Sequence, residues 1–281
     1  MTSIAVLHQR TDDNNEVNIE RIANLLYETI RKYEPKLLVG PEYLFYGNLH
    51  KPFTPEEKAS LMKLLELLTK NTETILIPGS IISTSDEHFK SLYQNTTPII
   101  YKGKTITEVT KLCLRDADKR FAYDNDCSAF NHGPQDLGDQ IEEWIKAYTK
   151  DRTITIDNVK YLVEICDDHY KAQDYELDSH TNDKRLAELL GIEEEQLELD
   201  NTPPFEGPRS IAEVDFQIIV SNGFLHHFTI PREKLYLREG GILIECNGGA
   251  PSSFVGKAVG DKIFPVYISE KYPPEVKIIQ L

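Results

Sequence analysis

The pattern of hydrophobic and polar positions divides the chain into short apolar runs and longer amphipathic stretches. Between residues 18 and 33 the apolar positions recur at intervals of three and four, which predicts a helix. Thr54 is followed three residues later by Glu57, a capping-box pattern that predicts a second helix ending near Lys70. The apolar runs around these helices have the length of strands, and we predict strands over residues 3–9, 36–39 and 74–83.

The rest of the chain is richer in predicted strands. The clearest hairpin joins residues 97–101 to 105–112 through Lys102-Gly103-Lys104. A further helix is predicted over residues 139–150. The remaining predicted strands cover residues 153–156, 160–165, 216–221, 241–246, 263–268 and 276–281. Strands that alternate with helices, followed by a strand-rich second half, indicate an α/β sandwich.

The length and composition favour a single domain over residues 1–281. The chain has 281 residues, of which 40% are hydrophobic, enough for one large core. Residues 171–210 form a polar, acidic, proline-containing stretch, which we interpret as an enlarged loop that lines or covers a site.

Charge and hydrophobicity exclude several classes of partner. The net charge of −15 comes from 46 acidic and 31 basic residues, which argues against binding to nucleic acid. No apolar run is long enough to span a bilayer, so we expect no membrane association. Met1 leads into an apolar run without a basic segment or cleavage site, and we expect a cytoplasmic protein.

The four cysteines, at positions 113, 127, 166 and 246, include no Cys-x-x-Cys pair. The usual spacing of a zinc site is therefore missing. In a cytosolic chain of this size, four cysteines are expected to be free thiols.

Three side chains that could take part in catalysis follow or end predicted strands. Glu42 follows an apolar strand through Gly40-Pro41, Lys111 closes the second hairpin strand, and Cys166 ends the strand that begins at residue 160. Taken singly, each has an ordinary structural explanation as a cap, a solvated lysine or a core thiol. Their joint order at strand ends, where functional side chains are often presented, favours a site.

In that order, these residues resemble the Glu–Lys–Cys triad of the nitrilase, or carbon–nitrogen hydrolase, superfamily. Val39-Gly40-Pro41-Glu42 is similar to the first motif of that superfamily, and Ile165-Cys166-Asp167-Asp168 is similar to its nucleophile turn. Weaker likeness extends along the chain to Pro78-Gly79-Ser80, residues 95–112, Asn247-Gly248-Gly249 and Phe254-Val255-Gly256-Lys257.

The resemblance implies a four-layer αββα sandwich and an amidase-like activity on a small molecule. Cys166 would be the nucleophile, Glu42 the general base and acid, and Lys111 the residue that stabilises the oxyanion. A nearby cation lowers the pKa of a thiol, and a carboxylate can carry its proton to the leaving amine. The resemblance also implies a homodimer or larger homo-oligomer, and no cofactor or metal.

The chain departs from the superfamily pattern at positions that bear on the substrate. Asp126 stands where many members have a second glutamate, and Tyr170 stands where members acting on carboxylate-bearing substrates often have arginine. Asp167-Asp168 replaces the Trp-Glu of true nitrilases, which favours an amide over a nitrile. We therefore treat Asp126, Asp167 and Tyr170 as candidate auxiliary or substrate-binding residues.

Two further departures concern the surroundings of the triad. The superfamily's late helix is shortened or lost, since residues 237–241 alone precede the Asn-Gly-Gly segment. Glu164 lies two residues before Cys166 and would share its face of the strand, next to either the active site or an oligomer interface.

Other functions remain open from the sequence. A metal site built from residues 166–169 with His226 and His227 is disfavoured, because consecutive strand residues point to opposite faces. A catalytically silent binding or regulatory protein with the same fold is an alternative. The thioester could also pass its acyl group to an amine instead of water.

Overall fold

The structure is a computed structural model that describes residues 2–8, 19–45, 52–84, 93–111, 152–165, 213–221, 235–248, 253–268 and 275–281. The described helices are α1 (Ile19–Tyr33) and α2 (Pro55–Thr69). The described strands are β1 (Ser3–Leu7), β2 (Leu37–Val39), β3 (Ile75–Ile77), β4 (Ile81–Thr84), β5 (Tyr93–Tyr101), β6 (Lys104–Thr110), β7 (Thr153–Ile156), β8 (Val159–Ile165), β9 (Val214–Ser221), β10 (Leu237–Asn247), β11 (Phe254–Val259), β12 (Lys262–Ile268) and β13 (Val276–Gln280).

Seven of these strands form a first, mixed sheet. Its order is β13-β1-β2-β3-β5, with β1, β2 and β3 parallel and with β13 and β5 antiparallel to their neighbours. One edge of β5 pairs with β3 and then β4, and its other edge pairs with β6. The β5–β6 hairpin turns at Lys102 and Gly103, both with positive φ, as a tight hairpin turn requires.

The other six strands form a second mixed sheet in the order β12-β11-β10-β9-β8-β7. Its three central strands, β8, β9 and β10, are parallel, so their carboxyl ends lie at the same edge. The outer strands pair antiparallel with their neighbours.

The two sheets pack face to face around the main hydrophobic core. Alternate residues of each strand enter this core, as Val163 and Ile165 do from β8 and Ile4 and Val6 do from β1. A second cluster buries the outer face of the first sheet under α1 and α2. A third cluster, which includes Leu162, covers the outer face of the second sheet. This arrangement confirms the predicted α/β sandwich.

Helix α2 begins as its sequence predicts. The Thr54 Oγ1 accepts a hydrogen bond from the Glu57 N–H at 3.2 Å, and the Thr54 N–H donates to Glu57 Oε2 at 2.8 Å. This reciprocal capping box satisfies N–H groups that the first turn of a helix leaves without a partner.

Two strand predictions were wrong. The single strand predicted over residues 74–83 is two strands, because Gly79 has φ of +96° and the chain turns at Pro78-Gly79-Ser80. The strand β11 was missed, because Gly256 interrupts its apolar pattern. That glycine is required by packing: a Cβ there would lie 2.4 Å from Cγ2 of Ile263.

Several other predictions concern residues that the structure describes only in part or not at all. Residues 237–241 begin strand β10. Residues 222–234, which precede them, lie outside the described residues, so the shortening or loss of the late helix stays a prediction. The predicted helix over residues 139–150 and the enlarged loop over 171–210 lie outside the described residues, and the single domain stays a prediction. Within the described ranges, neither helix is long and apolar enough to cross a bilayer.

Candidate active site

The candidate site begins at the turn after β2, where the chain reaches Glu42. This turn is in backbone contact with the turn between β3 and β4. A Cβ on Gly40 would lie 2.3 Å from the carbonyl oxygen of Pro78, and one on Gly79 would lie 2.0 Å from that of Pro41. Both positions therefore require glycine, and the close approach fixes where Glu42 leaves the sheet.

Two hydrogen bonds hold the backbone on either side of the Glu42 side chain. The Glu42 N–H donates to the carbonyl oxygen of Ser221, at the end of β9, at 3.2 Å. The Tyr43 N–H donates to Oγ of the fully buried Ser80 at 2.8 Å. Tyr43 has φ of 58°, the left-handed region that a non-glycine residue adopts when its surroundings impose it.

Lys111 lies one residue beyond β6 and is held by its backbone. Its N–H donates to the carbonyl oxygen of Asn95 on β5 at 2.8 Å. The preceding carbonyl, that of Thr110, accepts a hydrogen bond of 2.6 Å from Nη2 of the buried Arg152. The hairpin and Arg152 together determine where the Lys111 side chain begins.

The side chains of Glu42 and Lys111 form a buried ion pair. Nζ of Lys111 lies 2.7 Å from Oε1 of Glu42, and each side chain is 1% exposed. Nδ2 of Asn95 donates to the same oxygen at 3.0 Å. The Lys111 ammonium also lies 5.6 Å from the centre of the Tyr43 ring, within the range of a cation–π contact.

The second sheet meets the Glu42 turn at the ends of its parallel strands. Ile165, the last residue of β8, pairs with Val220 on β9. Ser221, the next residue of β9, pairs with Asn247, and its carbonyl oxygen also accepts the Gly248 N–H at 2.9 Å. The Ser221 carbonyl therefore joins the ends of β9 and β10 to the turn that carries Glu42.

The structure brings together two of the residues that the sequence singled out, Glu42 and Lys111. The candidate nucleophile Cys166 and the candidates Asp126, Asp167 and Tyr170 lie outside the described residues. Their assignments stay predictions.

Sequence reasoning missed the residues that support the pair, namely Asn95, Ser80, Ser221 and Arg152. Ser221 ends an apolar run, and a buried polar residue there has to find a hydrogen-bond partner, which was the available signal. Asn95 lies among the polar residues 94–97 of its strand and gave no such signal.

Glu164 lies on the outer face of the second sheet with Leu162, because Val163 and Ile165 occupy the inner face. Its carboxylate is buried and accepts a hydrogen bond of 2.8 Å from Nε2 of Gln217. This carboxylate therefore has a hydrogen-bond partner within the second sheet.

Cys246 is a fully buried free thiol between the two sheets. Its Sγ donates to the carbonyl oxygens of Leu7 at 3.3 Å and Val39 at 3.5 Å. Burial raises the pKa of this thiol well above its usual range, which makes it a poor nucleophile.

His8 bridges the two sheets close to Cys246 in the fold. Its Nδ1 lies 3.2 Å from Oγ of Ser253, and its Nε2 lies 3.1 Å from the hydroxyl of Tyr267. Burial, with a smaller contribution from the charge of Lys277, lowers the pKa of His8 to about 4. The imidazole is therefore neutral at pH 7.

Across the described ranges, no group of three or more His, Cys, Asp or Glu side chains is placed to bind a metal ion. The residues of the disfavoured metal site, 166–169 with His226 and His227, lie outside these ranges.

No family model matches the sequence, and no curated protein matches it either. Solved structures do match. Nit3 from Saccharomyces cerevisiae, a member of branch 10 of the nitrilase superfamily, is 16% identical with a TM-score of 0.58, and the match covers 99% of this chain and 88% of Nit3. The amidase from Nesterenkonia sp. AN1 is 12% identical with a TM-score of 0.59, over 100% of this chain and 93% of the amidase.

A longer protein also matches. Glutamine-dependent NAD+ synthetase from Acinetobacter baumannii is 12% identical with a TM-score of 0.56, and this chain, matched over 99% of its length, spans 45% of the synthetase. The amidase belongs to the nitrilase superfamily, and one of its structures carries acrylamide added to the active-site cysteine. These likenesses confirm the predicted fold: the chain is an αββα sandwich of the nitrilase type.

Proposed function

We propose that this chain hydrolyses a non-peptide carbon–nitrogen bond, an amide in preference to a nitrile, through a thioester on Cys166. The observation that carries the proposal is the buried ion pair of Glu42 and Lys111 at the edge where strands of both sheets end. Burying two charges is costly unless they are paired, and such pairs are concentrated at functional sites.

The position of Cys166 in the sequence supports its role as the nucleophile. It directly follows Ile165, the last residue of β8. Ile165 pairs with Val220, and the next residue of that strand, Ser221, accepts the backbone N–H of Glu42. We therefore propose that the Cys166 thiol lies beside the Glu42 carboxylate.

In the proposed first half-reaction, Glu42 accepts the thiol proton as Sγ of Cys166 bonds to the amide carbon. The carbonyl oxygen becomes an oxyanion. When the carbon–nitrogen bond breaks, Glu42 returns the proton to the nitrogen, and the amine or ammonia leaves. A thioester on Cys166 remains.

In the proposed second half-reaction, a water molecule attacks the thioester while Glu42 takes one of its protons. The carbon–sulfur bond then breaks, the acid leaves, and Glu42 returns the proton to the sulfur of Cys166. The net reaction consumes one amide and one water and yields one acid and one amine. Transfer of the acyl group to an amine would follow the same course with a different second nucleophile.

Lys111 has two tasks in this scheme. Its ammonium compensates the charge of Glu42, which keeps a carboxylate in a buried place. We propose that it also faces the oxyanion of the tetrahedral intermediate, with backbone N–H groups of the Cys166 turn. One donor of this kind typically contributes ~3 kcal/mol to lowering the barrier.

The proposed substrate is a small molecule with an amide group. The replacement of Trp-Glu by Asp167-Asp168 supports an amide over a nitrile, and the match to an amidase agrees with it. Asp126, Asp167 and Tyr170 are the proposed auxiliary or substrate-binding residues. A homodimer or larger homo-oligomer is proposed from the resemblance alone.

The test is ammonia release from a panel of amides, carbamoyl compounds and nitriles, with wild type and Cys166→Ala assayed together. We expect release from at least one amide by the wild type and none by the variant. Release that persists in Cys166→Ala would contradict the assignment of the nucleophile. Release from nitriles alone would contradict the amide preference.

If no compound is hydrolysed, the rate of alkylation by iodoacetamide between pH 5 and 9 distinguishes two explanations. The protein is catalytically silent, or it is an enzyme whose substrate is missing from the panel. The proposal requires Cys166 to react at a pH well below that of an ordinary thiol, because Lys111 stabilises the thiolate. Cys246 is the internal control, since its burial predicts no labelling in the folded protein. A Cys166 that reacts like a free cysteine, together with no turnover, would favour a binding or regulatory protein.

A further inference from the structure

Asn95 contacts both members of the buried ion pair, although it belongs to neither of the strand ends that carry them. It lies on β5, where its backbone pairs with Ile82 of β4 on one edge. On the other edge, its carbonyl oxygen accepts the Lys111 N–H at 2.8 Å. Its side chain, on a residue that is 2% exposed, donates from Nδ2 to Glu42.

These contacts form a closed triangle of three residues. Asn95 Nδ2 to Glu42 Oε1 is 3.0 Å, Lys111 Nζ to the same oxygen is 2.7 Å, and Asn95 joins Lys111 through the backbone. An ion pair alone leaves a carboxylate free to rotate about the lysine. A second donor fixed on a central strand removes that freedom, because the amide cannot follow the carboxylate.

Both described donors bind the same carboxylate oxygen. Oε1 of Glu42 receives the ammonium of Lys111 and the amide of Asn95. A proton that arrives at this oxygen would have to displace a strong hydrogen bond to a charged donor. Two donors therefore hold this oxygen of Glu42 in place.

We propose that Asn95 is a positioning residue. It holds the Glu42 carboxylate in the orientation in which this group exchanges a proton with the nucleophile and the leaving group. This inference rests on the proposed function for the identity of the reaction, but the placement of Glu42 by Asn95 does not depend on turnover.

Thr97 provides a matched control on the same strand. It lies two residues from Asn95, so it shares the same face of β5, and it is fully buried. Its hydroxyl has no hydrogen-bond partner within the described part of the chain. Thr97→Val therefore perturbs the packing of this strand without touching the ion pair.

The first test compares Asn95→Leu and Asn95→Asp with Thr97→Val. Losing the amide donor disfavours the charged carboxylate, so the acid limb of the activity profile moves to higher pH by about one unit in Asn95→Leu. The added carboxylate of Asn95→Asp moves it further, because like charges repel. In both Asn95 variants we expect kcat to fall at least ~10-fold with KM little changed, because Glu42 would no longer be aligned as the general base. Thr97→Val keeps the wild-type profile.

A second measurement separates this inference from the proposed function. The Glu42 carboxyl is titrated by carbon-13 NMR, with Glu42→Gln identifying its signal. Lys111 is a charged group in contact with Glu42, and it is retained in every variant. A midpoint that moves upward in Asn95→Leu and stays in Thr97→Val supports the role of Asn95, even if no substrate is turned over. An unchanged midpoint in Asn95→Leu would overturn the inference, whatever the enzyme hydrolyses.

Discussion

The ammonium of Lys111 lies 2.7 Å from Oε1 of Glu42, although the two residues are 69 positions apart in the chain. Each side chain is 1% exposed, so neither charge is solvated by bulk water. In such a place, each charge depends on the other for compensation. The pair is thus a structural element as well as the centre of the proposed chemistry.

The losses of stability from removing Glu42 and Lys111 are expected to be coupled, because each removal alone leaves the other charge buried without its partner. Lys111→Met leaves the Glu42 carboxylate buried without its cation, which should lower the free energy of unfolding by ~3 to 5 kcal/mol. The double variant Glu42→Gln/Lys111→Met should lose less than the sum of the single variants, because it leaves no uncompensated charge. Denaturant unfolding of the four proteins measures both effects.

An exposed ion pair supplies the control for this cycle. Arg21 and Glu275 form a salt bridge with about half of each side chain exposed. Arg21→Met is expected to change the unfolding midpoint little, since exposed pairs are screened by water. Strictly additive losses at Glu42 and Lys111 would show that the two charges are not coupled.

Gly79→Ala should separate the two turns that place Glu42. A Cβ at this position would lie 2.0 Å from the carbonyl oxygen of Pro41, and φ is +96°. We expect a loss of ~2 kcal/mol or more in unfolding free energy, from clash and backbone strain together. Gly260→Ala is the matched control, because its φ of +62° is also positive but nothing lies within 4 Å of the added Cβ. Equal losses at both glycines would contradict the contact between the turns.

Ser80→Ala should affect the site through the backbone of Tyr43. The hydroxyl of Ser80 accepts the Tyr43 N–H at 2.8 Å in a fully buried place. Its loss leaves that donor without this acceptor, at a cost of ~1 to 3 kcal/mol, and lets the Glu42 turn move. We expect lower stability together with a lower kcat in any assay that detects turnover.

Ser83→Ala is the control for the loss of a buried hydroxyl. Ser83 is also fully buried, but its Oγ makes no hydrogen bond in the described part of the chain. Removing it should therefore leave both stability and turnover near those of the wild type. A larger effect at Ser83 than at Ser80 would contradict the role of the Ser80 hydroxyl.

His8 should make stability decrease between mildly acidic and acidic pH. Burial lowers the pKa of His8 from 6.5 to about 4, so the unfolded chain binds a proton at a higher pH than the folded protein does. The unfolding free energy then falls as the pH drops from 6.5 towards 4, by at most ~1.4 kcal/mol per pH unit. The contribution is fully present above this range and is lost below it.

His8→Gln removes this titration and keeps a polar side chain next to Ser253 and Tyr267. Urea unfolding of both proteins between pH 4 and 8 gives the contribution of His8 as a difference, since the carboxylates common to both cancel. We expect the difference in unfolding free energy between wild type and variant to become smaller towards pH 4. A difference that is constant with pH would show that His8 takes up its proton equally in both states.

Much of the fold could be predicted from local patterns. The capping box at Thr54, the helical spacing in α1 and the glycine-containing hairpin after β5 are each read within a few residues. The errors arose where packing decided the local conformation. At Gly79 a turn interrupts a continuous apolar run, because the Glu42 turn occupies the neighbouring space. At Gly256 the strand requires glycine, because Ile263 leaves no room for a larger side chain.

The sequence by itself determined that Glu42 and Lys111 follow strands and that their order matches a known triad. It could not determine that their charges touch, because that contact depends on the register of β5 with β6 and on the docking of two distant turns. Tertiary structure alone decided that Asn95 holds both residues and that Ser221 ties the Glu42 turn to the second sheet. A hydrogen bond between residues far apart in the chain forms only when packing has brought their strands together, and no local pattern encodes that distance.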